Sequence, residues 1–350
     1  MELKFLRFDL KLAHKWAIAS DGPTGGKNLS GVAIVQLTAP NGTLGLGESA
    51  PSSTYHENVA GAMEFFSKID AGKLSFDDLP GSMKYAEGLA PGQFSAKSAV
   101  NIALLDGAAR QAGSALYDFL ELGFREKHHV TSFTIGIAEP DVIRQKTLAA
   151  AQYPVLKLKV GVPADKENVR ALREAAPKKW VRVDANEGWT TKEQALEMIE
   201  WLAKDGFIQF IEQPMPAKTP LKDLAWLKRR SPLPLFADES YLTAADADLC
   251  AEGFHGVNVK LCKTGGVSRA RDALQAARRA GLKTMIGCMI ETSILISAGA
   301  HLAELADYLD LDGSLLTTND PYTGVTAEQG VLSFSGAPEK FGLRVSPAGR

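Results

Sequence analysis

Residues 155–160, Val-Leu-Lys-Leu-Lys-Val, form a short apolar run that contains two lysines, one residue apart. Each of the next three apolar runs ends at an acidic side chain: Asp184 in VRVDAN, Glu212 in FIEQP and Asp238 in LFADES. The next run, VNVKL, carries Lys260 near its end. Reactive side chains at the ends of successive apolar runs are typical of parallel β/α folds, in which the carboxyl ends of the strands surround the active site.

The same rhythm extends over most of the chain from about residue 130. Helical segments such as TKEQALEMIEWLAKDG, SRARDALQAARRAG and SILISAGAHLAELA separate the apolar runs. The eight strand-like runs are TSFTIGI, VLKLKV, WVRVDAN, FIQFIEQP, PLFADES, GVNVKL, KTMIGC and YLDLDG. Alternation of this kind predicts an α/β fold, a (β/α)7–8 TIM-like barrel.

The N-terminal third has a different pattern. ELKFLRFDLKLA alternates like a strand, and GVAIVQLTAPNGTLGLGES is typical of a β-hairpin that turns at Asn41-Gly42. Helical periodicity covers much of residues 57–121, and Gly113 is suited to end the last of these helices. We therefore predict an α+β capping domain over residues 1–125, the barrel over 126–322, and a C-terminal return to the capping domain over 323–350.

Composition narrows the class of protein. The 350 residues are 45% hydrophobic and 23% charged, with a net charge of −2, which gives no sign of a nucleic-acid or membrane partner. Three cysteines without CxxC spacing argue against a disulfide framework or a structural zinc site. The N-terminus lacks the unbroken apolar stretch of a signal peptide. We expect a cytoplasmic protein with a small-molecule substrate, assembled as a homo-oligomer.

The types of side chain indicate the chemistry. Three carboxylates at one barrel mouth, without a neighbouring histidine or thiolate in the pattern, favour a hard cation such as Mg²⁺. Along the chain, Lys159 precedes these three carboxylates and Lys260 follows them. Two lysines that flank a metal can remove a proton from one face of a carbon acid and return it to the other, if burial and nearby positive charge lower a lysine pKa. Lys157 has the same orientation as Lys159 and can stabilise negative charge.

Taken together, these motifs resemble those of the enolase superfamily, muconate-lactonizing-enzyme subgroup. The resemblance spans nearly the whole chain and is carried by KLKVG, VDANEGW, IEQPMP, ADES, VNVKLCKTGG, GCMIET, DLDG and, in the N-terminal module, GLGESAP. It implies that one Mg²⁺ per subunit is bound by Asp184, Glu212 and Asp238. It also implies that Lys159 and Lys260 are the acid/base catalysts on opposite faces of an enediolate, which Lys157 helps to stabilise.

The last strand-like run adds Asp310 and Asp312, in LDLDG. Residues two apart on a strand face the same side, so this pair can receive a substrate ammonium. The pair is similar to the one that dipeptide epimerases use for the amine of their substrate. By the same resemblance Thr134, Cys288 and Met289 line the substrate pocket. Asn186 and Glu239 are then expected beside the metal ligands and the lysines.

Two loops of the capping domain are expected to set specificity. The first, residues 19–26, is rich in glycine and is predicted to move as a lid. The second comprises residues 50–55. Epimerases for Ala-Glu dipeptides often carry an arginine in the first loop, but no arginine lies between Lys15 and Lys27. A hydrophobic, small or cationic second residue is thus at least as well supported as an acidic one, although Lys27 could reach an anion.

The sequence therefore predicts an isomerase, a Mg²⁺-dependent dipeptide epimerase that inverts the α-carbon of the C-terminal residue. An N-acylamino acid racemase, an o-succinylbenzoate synthase or a muconate cycloisomerase would use the same lysines and metal, but their substrates lack a free ammonium for Asp310 and Asp312. A Schiff-base aldolase with a nucleophilic lysine and a non-catalytic binding protein are more distant alternatives.

Overall fold

The computed structural model describes residues 1–21 and 25–349. Its N-terminal part contains a three-stranded antiparallel sheet among these residues, in the order β1-β2-β3. The strands are β1 (Glu2–Trp16), β2 (Lys27–Thr38) and β3 (Leu44–Ser49). The predicted hairpin between β2 and β3 is confirmed: Gly42 has a φ of +85°, and Asn41 Oδ1 accepts a hydrogen bond from the Thr43 N–H group at 3.0 Å. A residue with a Cβ atom would be strained at that φ.

Helices pack on one face of this sheet: α1 (Val59–Ser67), α2 (Leu79–Gly88), α3 (Phe94–Gln111) and the short α4 (Leu116–Phe119). Helix α3 is buried over most of its length and lies directly on β3. The approach is close because β3 carries glycine at the contact. A Cβ atom on Gly47 would lie 1.9 Å from the carbonyl oxygen of Ala99. Gly113 follows α3 with a φ of +65°, as predicted for the residue that ends this helix.

The predicted barrel is confirmed, with eight parallel strands in the described residues that neighbour one another in chain order. These strands are β4 (Phe133–Ile135), β5 (Val155–Lys159), β6 (Trp180–Asp184), β7 (Ile208–Glu212), β8 (Leu235–Ala237), β9 (Gly256–Lys260), β10 (Lys283–Gly287) and β11 (Tyr308–Asp310). A bridge between Thr131 and Leu309 joins the two ends of the sheet. The register pairs Lys159 with Asp184, and Asp184 with Glu212, so the reactive side chains lie at one level.

Helices surround the barrel and connect its strands. They are α5 (Pro140–Ala149), α6 (Asp165–Ala175), α7 (Lys192–Leu202), α8 (Leu221–Arg230), α9 (Ala247–Gly253), α10 (Leu261–Thr264), α11 (Val267–Arg279) and α12 (Ser293–Ala300). Gly265 and Gly266 make the turn into α11 with φ values of +97° and +113°. Helix α12 is shorter than its predicted segment, because the chain continues as a 3₁₀ turn at Ala303–Leu305. No helix in the described residues is both long and apolar enough to cross a membrane.

The C-terminal segment forms small antiparallel pairs: β12 (Tyr322–Thr323) with β15 (Ser346–Pro347), and β13 (Thr326–Glu328) with β14 (Val331–Ser333). The segment also contacts the N-terminal part. Leu343 donates its N–H group to Asp106 of α3 at 2.7 Å, and Arg110 donates to the carbonyl oxygen of Val345 at 3.1 Å. These bonds support the proposed return of residues 323–350 to the capping domain.

A buried carboxylate joins the capping sheet to the barrel. Glu48 of β3 is 0% exposed and accepts hydrogen bonds from the N–H group of Thr292 at 2.9 Å and from that of Leu295 at 3.3 Å, at the N-terminus of α12. Burial, together with the negative charge of Asp320, raises the pKa of Glu48 to about 7 against the opposing effect of the hydrogen bonds from Thr292. Glu291, also buried, is repelled by Glu48.

The raised pKa of Glu48 predicts a pH-dependent stability. Between pH 4.5, the usual pKa of a glutamate, and about pH 7, Glu48 stays protonated in the folded protein but is ionised in the unfolded chain. The free energy of unfolding therefore falls as the pH rises through this interval. This contribution amounts to about 3 kcal/mol over that interval. We expect Glu48→Gln to gain stability relative to the wild type by about this amount from pH 4.5 to 7, as measured by urea denaturation. The matched change Glu200→Gln, on an exposed face of α7, should show no such trend. A constant difference between Glu48→Gln and wild type across this range would contradict the prediction.

Candidate active site

A cavity of about 470 Å³ lies between the carboxyl ends of the barrel strands and the capping domain. Its walls include residues from both parts of the chain, such as Lys159, Lys260 and Asp312 from the barrel, and Trp16 and Tyr55 from the capping domain. Parallel strands direct their carboxyl ends to one side of a barrel, so residues far apart in sequence meet there.

Asp184, Glu212 and Asp238, the predicted metal ligands, meet in this region. Asp184 and Glu212 end β6 and β7, and Asp238 directly follows β8. All three are 0% exposed, and one oxygen from each lies within 4.8 Å of the other two. Burying three carboxylates together is costly unless cations neutralise them.

One oxygen of this triad is available to a metal ion. Glu212 Oε1 accepts a hydrogen bond from Asn258 Nδ2 at 2.8 Å. Glu212 Oε2 lies 2.7 Å from Lys157 Nζ, and apart from this ion pair the buried oxygen has no hydrogen-bond donor in the described part of the chain. Burial and neighbouring Asp184 raise the pKa of Glu212 to about 7. An all-oxygen set with an unsatisfied carboxylate fits Mg²⁺.

The two predicted bases lie on opposite sides of the triad. Lys159 Nζ donates to Asp184 Oδ2 at 2.7 Å, and Lys260 Nζ donates to Asp238 Oδ2 at 2.7 Å. Both lysines are buried and both line the cavity. A molecule in the cavity therefore has one ammonium beside β5 and another beside β9.

The pKa of Lys260 differs from the sequence-based expectation. Burial lowers it, but Asp238 and other carboxylates outweigh burial and raise the pKa above its ordinary value. A base needs the opposite direction. The same carboxylates form the predicted metal site, and a divalent cation bound by them would offset two of their three negative charges and so weaken the attraction that raises the pKa of Lys260.

Lys157 is buried more deeply than the other two lysines and connects the triad with the last strand. Its Nζ atom lies 3.0 Å from Asp184, 2.7 Å from Glu212 and 2.7 Å from Asp310. Burial lowers the pKa of Lys157, but these three carboxylates raise it well above its ordinary value. Lys157 is thus a fixed positive charge beside the triad, and its role in stabilising an enediolate stays a prediction.

Sequence reasoning missed Lys263. Its buried Nζ atom donates to a carboxylate oxygen of Asp238, to the Asp238 carbonyl oxygen at 2.6 Å and to the Asn258 carbonyl oxygen at 3.0 Å. Asp238 therefore has two ammonium partners, Lys260 and Lys263. The signal was the spacing of three residues in KLCK, which places both side chains near one point when a helical turn follows the strand, as α10 does.

The prediction that Asp310 and Asp312 face the same way along a strand needs correction. Strand β11 ends at Asp310, and Asp312 precedes a 3₁₀ turn with φ −109° and ψ 3°. Alternation along a strand therefore does not apply to the pair. Both side chains still line the cavity, because the turn brings Asp312 against β4, where its Oδ2 atom accepts the N–H group of Thr134 at 2.6 Å.

The remaining predicted residues are close to these groups. Thr134, Cys288 and Met289 line the cavity. Asn186 donates its N–H group to Asp184 Oδ1 at 2.9 Å and its side-chain amide to Glu239 Oε1 at 3.2 Å. Glu239 also lines the cavity, but its hydrogen bond in the described residues is to Asn186 rather than to a lysine.

The capping loops contribute Asp21 and Tyr55 to the cavity wall, and the first residue of β2 contributes Lys27. Burial raises the pKa of Tyr55, and the negative charge of Asp238 raises it further. Lys27 Nζ contacts Ser30 Oγ at 3.2 Å. Gly22, Pro23 and Thr24, in the predicted lid, lie outside the described residues.

Comparison with known proteins agrees with this geometry. The family model described as "Enolase C-terminal domain-like" matches residues 142–333. The chain belongs to the enolase superfamily. The predicted resemblance is thereby confirmed, and the matched region contains Lys157, Lys159 and Lys260 as well as the buried triad of Asp184, Glu212 and Asp238.

Relatives within the enolase superfamily include proteins similar to this chain over its full length. An L-Ala-D/L-amino acid epimerase of Pedosphaera parvula is 70% identical, with 99% of each chain covered. A dipeptide epimerase of Enterococcus faecalis, solved with Mg and L-Leu-L-Tyr, is 31% identical, with 99% of each chain covered and a TM-score of 0.88. A dipeptide epimerase of Cytophaga hutchinsonii, solved with Mg and D-Ala-L-Val, is 28% identical, with 99% of this chain and 95% of the other covered and a TM-score of 0.90.

Proposed function

We propose that this protein is a Mg²⁺-dependent dipeptide epimerase, an isomerase that inverts the α-carbon of the C-terminal residue of a dipeptide. The reaction is a 1,1-proton transfer through the enediolate form of the terminal carboxylate. Lys159 and Lys260 act in turn as base and acid. Similarity over the full chain to proteins named as dipeptide and amino-acid epimerases supports the substrate class.

One observation carries the proposal: two lysines reach a single cavity from opposite sides of a buried triad of carboxylates. A carbon acid between Lys159 and Lys260 can lose a proton to one Nζ atom and receive a proton from the other on its opposite face. Inversion of configuration follows from this arrangement, whereas a single base would return the proton to the face from which it came.

Asp184, Glu212 and Asp238 would hold the Mg²⁺ ion. When bound, the ion supplies positive charge that stabilises the charge developing on the substrate carboxylate. Lys157 adds a fixed ammonium beside the same position, and the burial of these groups excludes water that would weaken their attraction. The carboxylates of Asp310 and Asp312 supply negative charge for the amine of the dipeptide.

The experiment that tests this function is deuterium incorporation from D₂O into a mixed library of L,L-dipeptides, with Mg²⁺, read by mass spectrometry. We expect a gain of one mass unit in a subset of members, which also reveals the preferred second residue. The gain should vanish when a chelator removes the metal. Exchange into N-acylamino acids but into no dipeptide would instead favour a racemase, and borohydride trapping of substrate on the protein would favour a Schiff-base aldolase.

The sequence also predicts a location in the cytoplasm and a homo-oligomeric assembly. We retain both as proposals. Size-exclusion chromatography with light scattering tests the second, since an oligomer elutes with a mass that is a multiple of the 37.5 kDa chain.

A further inference from the structure

We propose that Asn258 of β9 is a positioning residue for the metal site. Its side-chain amide holds the Glu212 carboxylate in place for the cation, and Gly287 of β10 keeps free the space that this amide occupies. The inference rests on the proposed function, because it concerns the Mg²⁺ ion that the three carboxylates would hold. It adds two residues that neither bind the metal nor touch the substrate.

The Glu212 carboxylate is held at both of its oxygens. Its Oε1 atom accepts the hydrogen bond from Asn258 Nδ2 at 2.8 Å, and its Oε2 atom forms the ion pair with Lys157 Nζ at 2.7 Å. A single contact would leave the group free to turn about its last side-chain bond, because the torsional preference of that bond is broad. Contacts on both oxygens from different strands fix the plane of the carboxylate.

The amide of Asn258 is only half satisfied. Asn258 is completely buried, and its Oδ1 atom has no hydrogen-bond partner in the described residues. A buried polar atom without a partner costs free energy, and an apolar side chain of similar size would avoid that cost. An ionised carboxylate accepts hydrogen bonds but donates none, so the amide must present its nitrogen to Glu212. The bond to Glu212 is thus what an asparagine supplies here and a leucine does not.

Gly287 gives the amide its room. This residue ends β10 and pairs with Lys260 in the parallel register, so a side chain on it would point into the barrel as that of Lys260 does. A Cβ atom on Gly287 would lie 2.5 Å from Asn258 Oδ1 and 2.7 Å from Asn258 Nδ2. The φ of Gly287 is not in the positive range, so its backbone conformation does not call for glycine. The lack of a side chain at this position therefore serves the Asn258 amide.

Substitution of the Asn258 side chain should affect the metal site through Glu212 alone. The backbone carbonyl oxygen of Asn258 accepts a hydrogen bond from Lys263 Nζ at 3.0 Å, and Lys263 forms an ion pair with Asp238. This carbonyl remains in every side-chain variant, so Asp238 keeps its partner. Because Asn258 is completely buried, it makes no direct contact with a substrate in the cavity.

The test measures Mg²⁺ binding to the full-length protein by isothermal titration calorimetry, without substrate. Asn258→Leu keeps a side chain of similar size and removes the donor. We expect its Kd for Mg²⁺ to rise by about 10- to 100-fold, the usual cost of losing a hydrogen-bond partner of a metal ligand. Asn168→Leu in α6 is the matched control, because Asn168 is also 0% exposed and its side-chain amide has no hydrogen-bond partner among the described residues. The control should bind Mg²⁺ as the wild type does.

Gly287→Ala provides a second, independent test. The added methyl group should displace the Asn258 amide and raise the Kd for Mg²⁺ by about 10-fold. In an Asn258→Ala background the same change should alter the Kd by less than about twofold, because the space is then vacant. Equal effects of Gly287→Ala in both backgrounds would overturn the role of Gly287. Should Asn258→Leu fail to fold, as judged by circular dichroism, Asn258→Ala and this cycle carry the test.

Kinetics distinguish positioning from a direct part in the reaction. Asn258→Leu should need about 10- to 100-fold more Mg²⁺ for half-maximal α-proton exchange. Its kcat at saturating Mg²⁺ should stay within about threefold of wild type, since the reacting groups are unchanged. Wild-type Mg²⁺ affinity in Asn258→Leu, or loss of kcat at saturating metal, would overturn the proposal. The expected pattern of Mg²⁺ binding in a protein that exchanges no dipeptide proton would contradict the epimerase function and leave the role of Asn258 intact.

Discussion

Replacing Lys260 or Lys159 by alanine is expected to abolish epimerisation while leaving one half of the reaction. Each variant retains a single base, so it should exchange the α-proton of one configuration only, and the two variants should retain opposite configurations. The rate of epimerisation should fall by at least about 10³-fold, the typical size of an acid/base contribution. Deuterium exchange measured separately on the L,L and L,D isomers of the best substrate tests this result.

Both variants should fold, because each neighbouring carboxylate keeps another ammonium. Without Lys260, Asp238 still contacts Lys263, and without Lys159, Asp184 still lies 3.0 Å from Lys157. Lys222→Ala, on the exposed face of α8, is the matched control and should retain full activity. If both active-site variants lost exchange from the same isomer, or if either epimerised at the wild-type rate, the two-base arrangement would be wrong.

Glu212→Gln is expected to remove the response of the protein to Mg²⁺. Apart from its ion pair with Lys157, the buried Oε2 atom of Glu212 has no hydrogen-bond donor in the described chain, and burial together with Asp184 raises the pKa of this carboxyl to about 7. A cation relieves this unfavourable burial, and the neutral amide cannot offer the same attraction. We expect Mg²⁺ affinity to fall by at least about 100-fold, with loss of epimerisation.

Stability provides the measurement that does not depend on activity. At 100 times its Kd, Mg²⁺ should stabilise the wild type by about 2.7 kcal/mol, whereas the same concentration should leave the unfolding of Glu212→Gln almost unchanged. Without metal at pH 8, the variant should be no less stable than wild type, since it lacks a carboxylate whose ionisation the fold opposes. The exposed change Glu252→Gln serves as the control and should keep the wild-type response. Equal stabilisation of Glu212→Gln and wild type would exclude Glu212 as a ligand.

Much of the fold was predictable because it depends on local periodicity. Eight apolar runs separated by helical segments predicted eight parallel strands, and each run contains the corresponding strand. The turn at Gly42 and the helix end at Gly113 followed from the conformational freedom of glycine. The length of α12 was overestimated, because its segment is apolar beyond the point at which the helix ends and periodicity carries no information about that end.

Within the candidate site, the prediction succeeded for residues at strand ends. Lys159, Asp184, Glu212 and Lys260 each end a strand, and Asp238 follows one directly. Parallel strands in register place such residues at one level, so spacing along the chain sufficed to bring them together. Sequence reasoning missed Lys263, and it placed Asp312 at the barrel mouth for the wrong reason, because each of these residues lies in a turn beyond its strand, where the backbone direction is set by packing.

What the sequence determined by itself was the order of chemical groups around the barrel mouth, since strand order and register follow from the chain. What only the tertiary structure decided was which group pairs with which. Asp310 is separated from Lys157 by 153 residues, and Glu48 from Thr292 by 244. Such partners depend on distances of a few ångströms across the barrel and between the two parts of the chain. Those distances arise from closing the sheet and from packing the cap upon it, and no local pattern of residues encodes them.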